Sequence, residues 1–483
     1  MKVLSIVSEV FPLIKTGGLA DVAGALPKAL ETLGIDVTTL VPGYPQVIKR
    51  LQNRRPVGSL GDVLGFEAKI SQAELDGLDL LVLEIPDLFI RGGGPYIGAD
   101  GTDHPDNWLR FAALSLAGAR IALGHLPPYH ADIVHAHDWQ SALAPVYLRH
   151  LFHSSMPVVF TIHNLAFQGQ FPAEIGPRLG LPSSALGFEC LEYYGGVGYL
   201  KGALVCSDVV TTVSPTYARE ILSTDLGMGL DGVIQGRRAA LYGIVNGIDA
   251  DVWNPATDPL IPRRYDARSL ARRQANRQAV LDRVGLSDMG GPVFAALTRL
   301  TWQKGADMFP EAAEEIVSHG GQLVICGQGD PAIEAALRDC VARYPDHVGV
   351  HIGYTEALAH LIVSGCDVLM QPSRFEPCGL TQLYAMRYGA VPLVGRTGGL
   401  AETIIDANDA AVARSVATGF QFHPIEPFGL RAAIRRACDA YHDREGWASL
   451  QRQAMKADFS WDRSAAQYAQ LFEALHSAWQ TYG

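Results

Sequence analysis

Two stretches of the chain carry residue types suited to gripping a diphosphate and a sugar. "RLTWQKG" puts Arg299 at the end of a strand-like run and Lys304 shortly after it, ahead of a helical pattern in which Pro310 suits the first turn. Two cations at one helix entrance favour a diphosphate, because fixed positive charge and unpaired helix amides act on the same anion. "SRFEPCGLTQLYAMRYG" holds Glu376 in a loop that ends at a helix and is stiffened by the Pro-Cys-Gly after it. A carboxylate in that position can bind sugar hydroxyls, or serve as a nucleophile or base.

A third signal is a repeated phrase. "KTGGLADV" begins at Lys15 and "RTGGLAET" at Arg396, each with paired glycines at a turn into a helix. Free amides and the positive end of the helix dipole would favour an anion at both. Tight strand-to-helix turns alone would also use Gly-Gly. The long loop "EVFPLIKTGG" makes Lys15 the better candidate to reach a ligand.

"HAHDWQSA" ends a strand with His135, His137 and Asp138, and "FTIHNLAFQG" exposes His163 and Asn164 at another strand end. A metal reading of the first is discounted, since alternating strand residues face opposite ways and no fourth ligand is suggested. Asp138 and Trp139 read as lining a cleft. His163 has a structural reading as well, as a satisfied histidine. "GMGLDG" at 227–232 matches a dinucleotide fingerprint but follows a helical stretch instead of a strand. "DAD" at 249–251 resembles a metal-binding motif, yet lies beside Asn246 where Asx-turn and capping roles fit better. No P-loop occurs.

These residues need strand ends to hold them. Short β-branched runs ("VLSIVSEV", "DVTTLVPG", "LDLLVLEIP", "DIVHAHD", "VVFTIHN", "VVTTVSP") alternate with helical patterns such as residues 19–33 and 108–123. The series restarts with "VFAALTRL", "QLVICGQG", "VGVHIGY", "DVLMQPSR" and "VPLVGRTGG", with helices expected at 311–319 and 332–344. Two doubly wound α/β domains with parallel sheets are expected, with ligands beyond the carboxyl ends of the strands. The twin motif then suggests two facing surfaces with a ligand in the cleft between domains.

At 483 residues the chain exceeds one ordinary core, which supports two domains. A net charge of -11 without basic blocks leaves no footprint for nucleic acid or an anionic membrane. Seven scattered cysteines, none spaced as CxxC, point to a reducing compartment and away from structural zinc. Ser5, Ser8 and Glu9 interrupt the opening apolar run too early for a signal peptide, and nothing approaches the roughly 18 uninterrupted apolar residues of a membrane span. A cytoplasmic protein with no metal and no cofactor is expected.

Taken in order, "KTGGLADV", "HAHDWQ", "TIHNLAFQG", "NGID", "RLTWQKG" and "SRFEPCGLTQLYAMRYG" closely resemble the bacterial glycogen synthases and plant starch synthases, glycosyltransferase family 5. The resemblance runs from about residue 3 to residue 460. It implies a GT-B fold: a Rossmann-like acceptor-side domain over 1–245, a nucleotide-sugar domain over 246–460, and a last helix over 461–483 crossing back to the first domain. It also implies retaining transfer of glucose from ADP-glucose to the non-reducing-end 4-hydroxyl of an α-1,4-glucan such as glycogen, releasing ADP. By match to the family motifs, Arg299 and Lys304 hold the diphosphate, approached from the other domain by Lys15 and Gly18, with Asp21 in the same motif. Glu376 and the backbone of Cys378 and Gly379 bind glucose, Thr381 lies near the phosphates, and Tyr354 stacks on the nucleobase. His163 lines the reacting carbon; Asp138 and Asn246 support the sugar pocket. Glu376, His163, Lys15 and Asp138 form the implied catalytic set. Around "RGGGPYIG" the wording departs from the family's, which weakens any carry-over to Tyr96.

Two routes fit these residues: a same-face reaction in which the leaving phosphate takes the acceptor proton, and a covalent one through Glu376. Other functions also fit parts of the pattern. A GT-B transferase using UDP-glucose on a smaller acceptor is one, separated by donor comparison. A two-domain sugar-nucleotide or glucan binding protein is another, separated by glucose release or transfer. A dehydrogenase is weaker, because its GxGxxG is misplaced.

Overall fold

The computed structural model describes residues 1–482. The chain divides into two compact units, Met1–Gly247 joined by the segment from Trp461 onward, and Ile248–Ser460. Asn246 thus falls in the first unit, just before the division.

The first unit is built on a nine-stranded sheet in the spatial order Leu241–Gly243, Val209–Thr212, Val158–Ile162, Ile133–His137, Lys2–Ile6, Asp36–Pro42, Leu78–Glu84, Phe66–Leu75, Arg55–Val63. Strands from Leu241–Gly243 through Leu78–Glu84 pair in parallel. Ile133–His137 and Val158–Ile162 are buried at every position, as a parallel sheet covered on both faces requires. The last two strands pair antiparallel, which corrects the expectation of a purely parallel sheet. Arg55–Val63 is an edge strand with mostly exposed residues, so it lacks the apolar run that marks the others. A small antiparallel sheet of Gln170–Pro172, Gly196–Gly198 and Glu192–Tyr193 was likewise not legible.

The helix Gly18–Glu31 follows the first strand and buries Leu19, Val22, Ala23, Leu26 and Leu30, the spacing of one helical face. Val22, Leu26 and Leu30 share a core with Trp461, Ala465, Tyr468 and Phe472 of the C-terminal helix Trp461–Tyr482. Full burial of each such Val or Leu contributes roughly 1.5–3 kcal/mol. That packing is what makes the distant C-terminal segment part of the first unit.

The second unit holds a six-stranded, all-parallel sheet in the order Val348–Ile352, Gln322–Gly327, Val293–Leu297, Val368–Gln371, Val391–Gly395, Phe420–Phe422. Alternate residues feed opposite cores: Val293, Ala295 and Leu297 enter one, Phe294 and Ala296 the other. In chain order these strands read 3-2-1-4-5-6, so the winding reverses between Val293–Leu297 and Val368–Gln371. Parallel sheets of this order bind ligands beyond the strand ends where the two following connections diverge.

Candidate active site

The segments that follow those two diverging strands carry the cations and the carboxylate singled out from sequence. Lys304 lies in the turn after Val293–Leu297, and Glu376 in the loop after Val368–Gln371. The Lys304 ammonium meets Glu376 Oε2 at 2.5 Å, and Ser373 Oγ donates to the same oxygen at 3.0 Å. Both charged side chains are largely enclosed, at 17% and 9% exposure. Lys304 keeps further N–H groups beyond the one on Glu376. Gly305 fixes the turn: its φ is +68, and an added Cβ would stand 2.1 Å from the Pro372 carbonyl oxygen. Arg299 is exposed and meets no salt-bridge partner among the described residues. Pro310 does sit in the first turn of its helix, Phe309–Ser318, which a short 3-10 turn precedes.

The repeated Gly-Gly phrase performs two different tasks. In the second copy Gly398 and Gly399 are buried beneath the Glu376 loop. A Cβ on Gly398 would fall 1.9 Å from the Glu376 carbonyl oxygen, and one on Gly399 2.2 Å from that of Cys378. The Gly399 amide donates to the carbonyls of Glu376 and Pro377. This copy is a backbone brace for the Glu376 loop. In the first copy Thr16, Gly17 and Gly18 are exposed, and a Cβ on Gly17 would meet only Glu9 Oε1, at 4.0 Å.

In the first unit the winding also reverses, between Lys2–Ile6 and Ile133–His137. The loop after Lys2–Ile6 carries Lys15, whose ammonium lies 2.8 Å from Asp21 Oδ1 in the following helix. The loop is tied down by Glu9, a buried carboxylate that accepts from the Thr16 amide and, at 2.8 Å, from the Thr16 hydroxyl. Burial pushes the Glu9 pKa up, against the pull of the Thr16 bonds.

Beyond Ile133–His137, Asp138 adopts φ +53 at a sharp turn. Its carboxylate accepts from the His163 amide at 2.7 Å and faces that of Asn164 at 3.5 Å. Enclosure raises its pKa to about 7, although those amides favour the charged form. Asp138 therefore anchors the backbone that carries His163. His163 Nε2 lies 3.0 Å from His137 Nδ1, and His137 Nε2 lies 3.3 Å from Ser5 Oγ. Ser5 is buried and His137 is its one side-chain partner. If the Ser5 hydroxyl donates to His137 Nε2, His137 donates from Nδ1 to His163 Nε2 and the His163 proton sits on Nδ1. Burial holds the pKa of His163 and of His135 down at about 3, and that of His137 well below its ordinary value. All three are neutral near pH 7.

The expectation that His135 and His137 face opposite ways is overturned. Residues two apart on a strand share a face, and their ring centroids are 3.9 Å apart. His135 is committed elsewhere, with Nε2 2.7 Å from Thr161 Oγ1.

The other residues named from sequence are placed as follows. Tyr354, half exposed, follows the strand Val348–Ile352, with its hydroxyl donating to Glu356 at 2.7 Å. Cys378 is buried, Gly379 has φ +72, and Thr381 opens the helix Thr381–Tyr388. Asn246 is buried, and its Oδ1 has no partner among the described residues. Tyr96 pairs its hydroxyl with Ser8 Oγ at 2.7 Å. "GMGLDG" follows no strand, and Asp249 Oδ1 accepts from the amides of Asp251 and Val252 in an Asx turn.

Sequence reasoning missed the partners of these groups: Glu9, Ser5, His137 as a neighbour of His163, Ser373, and Gln382, whose amide nitrogen donates to the carbonyls of Cys378 and Gly379. A signal was present for Ser373 and Gln382, which stand within the Glu376 motif; for Ser5 and Glu9 only the three-dimensional fold supplies it.

The arrangement matches known proteins along almost its entire length. The family profile described as "Starch synthase catalytic domain" matches residues 2–236, and that described as "Glycosyl transferases group 1" matches residues 278–451. The glycogen synthase of Rhizobium rhizogenes is 55% identical over 99% of each chain, and glycogen synthase 1 of Rhizobium meliloti 54% over 98% of this chain and 99% of its own. Among solved structures, the catalytic domain of Arabidopsis thaliana starch synthase IV, bound to ADP and acarbose, superposes with a TM-score of 0.89 at 34% identity, covering 98% of this chain and 99% of that one. No helix among the described residues is long and apolar enough to cross a membrane. With two doubly wound α/β units and full-length identity of this degree, the chain belongs to the glycogen synthase family of GT-B glycosyltransferases.

Proposed function

We propose that this chain transfers glucose from ADP-glucose to the 4-hydroxyl at the non-reducing end of an α-1,4-glucan, with the α configuration kept and ADP released. The observation that carries this reading is the meeting of Lys304 and Glu376, from the segments after two diverging strands, at the reversal point of the second unit's sheet. A cation and a carboxylate fixed there, beside exposed Arg299, match a donor that has both a diphosphate and a sugar. The solved starch synthase relative binds ADP and acarbose, a pair consistent with such a donor and with a glucan-like acceptor.

In this reading Arg299 and the remaining N–H groups of Lys304 hold the diphosphate, and Thr381 adds the amide end of its helix. Tyr354 offers its half-exposed ring to the nucleobase. Glu376 and the amides of Cys378 and Gly379 hold glucose hydroxyls. As the C1–O bond breaks, negative charge grows on the departing diphosphate. Cations already in place stabilise that charge without reorganising, worth about 10²–10³ in rate for each such donor. Lys15, with Gly18 at its helix start, supplies a further cation from the first unit, and Glu9 and Asp21 fix its loop. Neutral His163 presents an Nδ1–H donor to the sugar instead of a charge, and Asp138 and Asn246 support that pocket. The phosphate oxygen that becomes more basic as it leaves takes the acceptor's proton, on the face where the new bond forms.

Purified protein given glycogen with ADP-glucose or UDP-glucose tests the donor. Faster incorporation from ADP-glucose is expected. Preference for UDP-glucose, or glucose release without incorporation, would overturn the reading.

A further inference from the structure

Away from the residues assigned to transfer, the first unit contains a pair of cysteines in contact. Cys190 Sγ and Cys206 Sγ are 3.6 Å apart, and the residues are only 2% and 8% exposed. Cys190 lies in the turn before the strand Glu192–Tyr193, and Cys206 ends the helix Tyr199–Cys206. Lys201 of that helix pins the turn on both sides of Cys190: its ammonium donates to the carbonyls of Phe188, at 2.6 Å, and Glu192. The backbone is therefore already held in place, and closure to a sulfur–sulfur bond of about 2.05 Å needs the two side chains to move toward each other by roughly 1.5 Å.

We propose that Cys190 and Cys206 form a redox-active dithiol that small organic disulfides oxidise to an intramolecular cystine. The two sulfurs are unequal. The thiol hydrogen bond from Cys190, with the nearby guanidinium charges of Arg149 and Arg237, favours the Cys206 thiolate against burial, whereas Cys190 is pushed up. Cys206 is thus the attacking sulfur and Cys190 the resolving one. The Cys206 thiolate attacks one sulfur of a disulfide RS–SR, whose S–S bond breaks and releases RS⁻. Cys190 then loses its proton to solvent and attacks the Cys206 sulfur of the mixed disulfide, which expels the second RS⁻. Two protein thiols give up two electrons, and one RS–SR becomes two RSH once the thiolates take up protons.

His150 offers the competing use. One of its ring nitrogens lies within 4.8 Å of both sulfurs, a three-ligand set for a soft cation. Two guanidinium charges beside Cys206 oppose a bound cation and favour a lone thiolate.

The test uses the full chain, reduced and then equilibrated in buffers of increasing oxidised-to-reduced glutathione, quenched in acid, alkylated and mapped by mass spectrometry. One cross-linked peptide joining Cys190 to Cys206, two hydrogens lighter than the reduced pair, is expected in the native protein before the other five cysteines react. The cross-link should vanish in Cys190→Ser. In Cys206→Ser glutathione adduct formation at Cys190 should be slower than at Cys206 in Cys190→Ser. Two results would overturn the proposal: both thiols still alkylated across the range, with the cross-link appearing only in denaturant, or one equivalent of zinc bound by His150, Cys190 and Cys206 that keeps both thiols reduced in oxidised glutathione.

Discussion

Replacing Lys304 with Met removes the ammonium from a carboxylate that is 9% exposed and keeps one other side-chain donor, Ser373. Breaking a buried pair by deleting one partner costs about 3–5 kcal/mol, because the other charge stays behind. Partial access of water at this loop and the surviving Ser373 bond bring the expected loss to ~2–4 kcal/mol. For a unit of this size that lowers the melting temperature by roughly 2–4 °C per kcal/mol. Arg299 is exposed, so Arg299→Ala should change stability by less than about 0.5 kcal/mol. Both changes should nevertheless lower kcat by about 10²–10³, since in the proposed reaction each removes a fixed cation from the leaving diphosphate. The pair Lys304→Met with Glu376→Gln should recover most of the stability, having no orphaned charge, and none of the activity. Urea melts and transfer from saturating ADP-glucose measure the two quantities separately. Lys304→Met with wild-type stability, or a double variant as unstable as the single one, would refute the buried-pair argument. Arg299→Ala retaining more than about a third of kcat, far above the loss expected for a fixed donor, would refute the diphosphate assignment.

Other consequences are as direct. Gly398→Ala puts a methyl group 1.9 Å from the Glu376 carbonyl oxygen, so it should displace the Glu376 loop and cut turnover at least as far as loss of one fixed donor, about 10²-fold, whereas Gly17→Ala should leave stability within about 0.5 kcal/mol. Melts and steady-state rates on both check the division of labour between the twin motifs. His137→Asn keeps a donor near the Nδ1 position and should preserve turnover better than His137→Gln, with ¹⁵N spectra of the His163 ring showing the proton on Nδ1 in the wild type. Since His135 has a folded pKa of about 3 against 6.5 unfolded, its contribution is present above pH 6.5 and is lost as pH falls towards 3. The first unit should lose about 1.4 kcal/mol from this residue by pH 5.5, and His135→Phe should flatten that slope in a pH series of denaturant melts.

Much of this could be read from the chain because parallel α/β units write themselves plainly. Buried strands are apolar runs, helices between them have one apolar face, and candidate site residues cluster just after strands. The helix expected at 19–33 is found at Gly18–Glu31, and that at 332–344 at Pro331–Arg343. The edge strand Arg55–Val63 escaped because exposure on both faces leaves no pattern to read. The Lys304–Glu376 pair escaped for another reason: its members are 72 positions apart in sequence, and only the adjacency of two parallel strands joins them. The meaning of the second Gly-Gly was equally invisible. Its need for two glycines comes from carbonyls of a loop some twenty residues earlier, which pack where side chains would stand.

In the proposed reaction, glucose from ADP-glucose is joined to the non-reducing end of an α-1,4-glucan. It is tested most directly by incubating the purified wild-type protein with ADP-glucose labelled in the glucose and with glycogen, then digesting the washed polymer with β-amylase, which removes maltose from α-1,4-linked non-reducing ends. The label should enter the polymer in step with ADP release and leave it as labelled maltose. Label recovered as free glucose before digestion, or retained in a polymer that β-amylase cannot shorten, would contradict it.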